Sequence, residues 1–149
     1  MLKVLLALGL TTLASAPALA GKPADLVARF YAFEVSMFDD DTSGFTAGSL
    51  GAFLDENRKL AVAQDGMGCL GFDPVIDGQD FDDNELKRTL KLEEKVDGDG
   101  AFVTATFLLF GEPRTINWTL QRIDGKWLAT DIASPDNGWR ISDMACEAE

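Results

Sequence analysis

The chain has 149 residues, with 13 Lys and Arg against 25 Asp and Glu, no His, and a formal net charge of −12 at pH 7. So acidic a surface repels phosphate backbones and anionic lipid, which argues against nucleic acid and membrane surfaces as partners and leaves cationic proteins or metal ions. The length suits one domain with one core, and the lack of His removes the usual acid–base group near neutral pH.

Residues 1–20 read as a cleaved secretion signal: Lys3, an apolar run over residues 4–13, then the small-x-small pattern of Ala18, Leu19 and Ala20. The run is too short to cross a bilayer, and no Cys follows the expected cut to carry a lipid. The expectation is a bacterial protein, periplasmic or secreted, with one domain over residues 21–149 and no stable membrane anchor. An even pair of cysteines usually closes in an oxidising compartment, so Cys69 and Cys146 are expected to form a disulfide. In the chain-entropy model so long a loop contributes roughly 4 to 5 kcal/mol. The competing reading, two thiolate metal ligands, lacks both a CxxC spacing and a His.

After the signal, Leu26, Phe30, Phe33 and Met37, with Val27, Tyr31 and Phe38 beside them, form a broad apolar stripe that predicts a helix over residues 23–38. Pro23 suits its first turn and Asp25 the positive end of its dipole. A second helical pattern runs through Leu50, Phe53 and Leu54 toward Leu60 and Ala61. Between the two, Asp39, Asp41, Ser43 and Gly44 match the first half of a calcium-binding EF-hand loop, but Leu50 stands where that loop needs a bidentate Glu. A solvated acidic turn is the simpler reading.

Residues 66–84 have no periodicity, and long loops of this kind are either functional or tied down. The segment from Leu86 to Ile132 then reads as a four-stranded antiparallel meander. Its turns are expected at Asp97-Gly98-Asp99-Gly100, Gly111-Glu112-Pro113-Arg114 and Asp124-Gly125. Strand one starts with Leu86, Leu90 and Leu92 and is charged enough for an edge. Residues 102–110 read as a central strand buried on both faces, and Ile116, Trp118 and Leu120 alternate with polar residues. Trp139, Ile141 and Met144 form a short apolar clip leading to Cys146. The fold class is therefore α+β, with two N-terminal helices packed on a curved four-stranded meander.

Phe30-Tyr31, the stretch from Phe72 to Asp80 and the stretch from Gly125 to Ile132 resemble an exported bacterial family, domain of unknown function 3828. That resemblance implies the cystatin-like cone fold of nuclear transport factor 2, a fold that hosts isomerases, dehydratases, immunity proteins and pure binding modules alike. Members are often lipoproteins, and the missing lipidation Cys is a departure.

Two functions remain open. One is a non-enzymatic binding module that uses an acidic loop, Asp73, Asp77, Gln79 and Asp80, together with Tyr31 and Trp139 at the mouth of the cone. Its partner would be an envelope protein or a small ligand. The spacing of that loop could also surround a hard cation, while Asp73 before Pro74 and Asp77 before Gly78 are ordinary turn formers. The other function is a small-molecule enzyme of isomerase or dehydratase type, in which a buried Asp replaces His as general base. Asp131 is the residue for that role, placed by strand alternation on one face with Trp127 and Ala129; a strand-end Asp capping a turn is the alternative. No nucleophile, metal site or cofactor is expected.

Overall fold

The computed structural model describes residues 21–66 and 68–146, so the expected signal segment lies outside the described residues. The helices are α1 (Pro23–Tyr31), α2 (Gly48–Gln64) and α3 (Asp83–Thr89), and the strands are β1 (Lys91–Asp97), β2 (Gly100–Leu109), β3 (Glu112–Ile123), β4 (Lys126–Ser134) and β5 (Trp139–Arg140). A 3-10 turn over Ile141–Asp143 follows. All five strands form one antiparallel sheet in sequence order, β1-β2-β3-β4-β5. The α+β class holds, with one helix and one strand more than the sequence pattern gave.

The added elements are short, which explains why periodicity missed them. The start expected for strand one is instead the helix α3: the Asp82 carboxylate caps it by accepting from the Glu85 N–H at 2.9 Å, and Leu86 is buried beneath it. The apolar clip contributes β5, a two-residue strand paired to Ala133 and Ser134.

α1 is shorter than its apolar stripe. Pro23 opens it, Asp25 accepts from the Lys22 N–H at 2.9 Å, and it ends where Phe33 adopts φ +57°. Phe33 therefore leaves the core: it is 45% exposed and stacks on Phe81 at 4.7 Å. Val35 and Met37 return to the core from irregular chain, while Phe38 stays 44% exposed. α2 buries Leu50, Phe53, Leu54 and Asn57, a face that packs on β4 and the 3-10 turn.

The strand β2 also departs from expectation. Ala101, Val103, Ala105, Phe107 and Leu109 are buried, whereas Phe102 is exposed and Thr104, Thr106 and Leu108 are half-exposed. It covers the core with one face only, because all three helices and the buried loops lie on that side and the other meets solvent. Phe30 of α1 packs against Trp118 at 4.8 Å and Phe45 at 5.5 Å, and Tyr31 meets Phe107 edge-on at 5.5 Å. These rings pack between α1 and the buried face of the sheet. Trp118, Val103 and Ile116 have no exposed surface.

A bulge sits between β3 and β4: Leu120 pairs with Ala129 but Thr119 pairs with Asp131, leaving Thr130 as the extra residue. On the far side of β4, Ala129 bonds the α1–α2 connection, donating to Phe45 O at 3.0 Å and accepting from Ala47 N at 2.9 Å. The edge of the sheet is thereby covered.

Candidate functional site

Cys69 and Cys146 are bonded, with Cα atoms 5.4 Å apart, and they pin the loop after α2 to the C-terminal segment. The buried Asn57 of α2 sets the start of that loop. Its Oδ1 accepts from Cys69 N at 2.8 Å and Leu70 N at 3.0 Å. A Cβ at Gly68 would lie 2.4 Å from the Asn57 carbonyl oxygen, and Gly68 has φ +70°, so only glycine fits there.

Residues 72–80 form a closed excursion in which Asp73 N donates to Gly78 O at 2.8 Å and Gly78 N returns to Asp73 O at 3.3 Å. Asp77, at φ +54°, turns inward from it. Its Oδ2 accepts from Ser134 Oγ at 2.6 Å and Asn137 Nδ2 at 2.5 Å, and its Oδ1 accepts from Trp139 Nε1 at 2.7 Å. This carboxylate bolts the loop to the β4–β5 hairpin, and Phe72 packs on the Trp139 ring at 5.1 Å.

The expected binding residues consequently separate. Asp77 and Trp139 are engaged with each other. Tyr31 is buried in the core, where its hydroxyl oxygen accepts from Trp118 Nε1 at 3.4 Å and burial pushes its pKa far up, so it lines no mouth. Asp80 is exposed and caps Phe81 N at 2.8 Å. Asp73 and Gln79 remain together, on the wall of a groove.

That groove has a volume of about 700 Å³ and is lined by Phe38, Gly68, Leu70, Gly71, Phe72, Asp73 and Gln79. Gln79 supports its wall by donating from Nε2 to Gly71 O at 2.9 Å. A smaller apolar recess, about 400 Å³, adjoins through Phe38 and is lined by Asn57, Arg58, Ala61 and Gly66. Asp73 is half-buried at the groove, and loss of water raises its carboxyl above the ordinary carboxylate range, against the opposing pull of its bond from Val75 N at 2.9 Å. Among the described residues, its other oxygen, Oδ2, accepts no hydrogen bond. The apolar stripe of the sequence runs through Phe38 and conceals its exposure, which follows from the end of α1 at Tyr31.

Asp131 has both oxygens occupied. Oδ1 accepts from Ile132 N at 2.9 Å and Ser142 N at 3.1 Å, and Oδ2 accepts from Arg140 Nη1 at 3.0 Å and Ser142 Oγ at 2.7 Å. The bulge at Thr130 puts it on the face opposite Ala129 and Leu120, away from the core, which simple alternation could not foresee. Asp39 and Asp41 serve local backbone, accepting from Ser36 N and Ser43 N, both at 2.9 Å. Among the described residues no helix is long and apolar enough to cross a membrane.

No family model matches the chain, and no curated protein matches it in sequence. Among solved structures it is similar to a chain of the type VI native effector–immunity complex Tae3–Tai3 from Ralstonia pickettii, with 16% identity and a TM-score of 0.53 over 75% of this chain and 93% of that chain. A chain of the selenomethionine form of that complex gives 19% identity and a TM-score of 0.50 over 76% of this chain and 95% of that one. At such identity the likeness is one of fold.

Proposed function

We propose that this chain is a non-enzymatic interaction module of the bacterial envelope, of the immunity type, that binds a secreted effector and blocks it. The carrying observation is the fold likeness, which spans 93% of a chain crystallised in an effector–immunity complex. The choice of the immunity side rests on chemistry. An enzymatic effector needs a reacting group, and here there is no His, both cysteines are tied in a disulfide, and the space between α1 and the sheet is packed with Phe30, Trp118, Tyr31 and Phe107. The disulfide supports an oxidising compartment, periplasmic or extracellular. Export through residues 1–20, membership of the family of domain of unknown function 3828 and its cone fold belong to the same reading.

A growth test checks it. A susceptible bacterium that exports the chain's candidate type VI effector, taken from the same genome, is expected to grow only when it also exports the chain. Continued killing in the presence of the folded, exported chain would contradict the proposal.

A further inference from the structure

Resting on that reading, we infer that the groove between the α1–α2 connection and the Cys69 loop receives a short segment of the partner protein that presents an apolar side chain next to a Lys or Arg. The apolar group lies among Phe38, Leu70 and Phe72, and the cation meets the Asp73 carboxylate.

Four observations lead there. The groove is the size of a pocket that takes a few side chains, about 700 Å³. Its lining is mainly apolar, and it is flanked by exposed aromatic surface: Phe38 is 44% exposed, and Phe33, 45% exposed, stacks on Phe81 to bridge the two loops that bound it. Among the described residues Asp73 is the one ionisable group in its lining, and the nearby cation, Arg58 in the adjoining recess, is engaged with Asp55, the Asp39 carbonyl and Thr42. Both chain segments beside it are acidic and exposed: Asp39, Asp40 and Asp41 follow Phe38, and Asp80, Asp82 and Asp83 follow Gln79.

Charge decides the occupant. A second copy of this chain, at −12, would bring like charge to an acidic rim, and the chain's own Glu147 and Glu149 carry the wrong sign. A basic segment gains twice: long-range attraction to the rim, then a charge-assisted hydrogen bond to a carboxylate that the fold leaves half-served. The elevated carboxyl of Asp73 agrees with a group that lacks a cation and would gain from one.

The test selects a random heptapeptide display library on the exported, disulfide-closed chain and measures the selected peptides on Gly71→Trp and Asp73→Asn. A Cβ at Gly71 would meet no atom within 4 Å, so a side chain can leave the backbone there without a clash, and the indole is expected to obstruct the groove. Selected peptides are expected to pair Lys or Arg with an aromatic or aliphatic residue. Gly71→Trp should weaken them about tenfold or more, and Asp73→Asn should remove the preference for Arg over an isosteric neutral citrulline, itself on the order of tenfold. Failure to select any peptide, peptides without a cation, or unchanged binding to Gly71→Trp in a variant that melts like the parent would overturn the inference. Both variants are also mixed with the effector. A complex that forms normally with both sinks the groove and leaves the interaction module standing; groove peptides that bind while no effector complex forms do the reverse.

Discussion

Three aspartates of this acidic chain show how far tertiary partners, rather than residue type, set a carboxylate's role. Asp77 and Asp131 are fully engaged acceptors, each holding the C-terminal segment, while Asp73 keeps one oxygen without a hydrogen bond among the described residues. Removing Asp77 strands Ser134, Asn137 and Trp139 together. Asp77→Ala should therefore destabilise the protein by about 2 to 4 kcal/mol, read from urea midpoints at constant m value. Asp73 should behave oppositely. Its folded pKa lies above its unfolded one, so the native state binds the extra proton and stability falls as pH rises from the unfolded carboxyl range through the folded pKa. Asp73→Asn, which keeps an acceptor for Val75 N, should melt higher than the parent at pH 7. The gain should vanish below about pH 4, where the parent carboxyl is protonated in both states. A lower melting temperature at pH 7 would show that the carboxylate is not held at a cost. Sequence reading selected Asp73 and Asp77 as one loop with one role; what divides them is donors 57 to 62 residues away, which no local pattern carries.

At the scale of elements, the sheet was the most legible part, because turn residues and alternation are local. Asp124 and Gly125 have φ of +51° and +77°, as a two-residue hairpin demands. The middle hairpin turns two residues earlier than expected: its turn is Phe110-Gly111, at φ +51° and +80°, and Glu112, Pro113 and Arg114 already belong to β3. The aromatic run through Phe110 masked it, since a 62% exposed Phe at positive φ is an unfavourable choice that sequence rules do not anticipate. Phe110→Asn should accordingly raise stability by roughly 0.5 to 1 kcal/mol, seen as a higher melting temperature. Helix ends were less legible. The stripe from Leu26 to Phe38 mixes one face of a helix with two side chains, Val35 and Met37, that reach the core from irregular backbone, and both satisfy the same spacing.

At the scale of the whole molecule, the disulfide and the Asp77 bolt act on the same problem: each fixes the loop after α2 to the C-terminal segment, and together they shape the groove wall. Replacing Cys69 and Cys146 with Ser should cost up to about 4 to 5 kcal/mol by loop entropy and should loosen the 68–80 loop first, measurable as faster amide exchange there than in β2 and β3. On the proposed function, the aromatic packing between α1 and the sheet and the acidic, aromatic-edged groove put recognition on loops held by rigid elements. Light scattering of the exported, disulfide-closed chain mixed with a candidate type VI effector from the same genome tests the proposed function most directly. The account predicts a single species with the combined mass and an effector whose activity falls in proportion to the chain added. Two separate species, with effector activity unchanged, would contradict it.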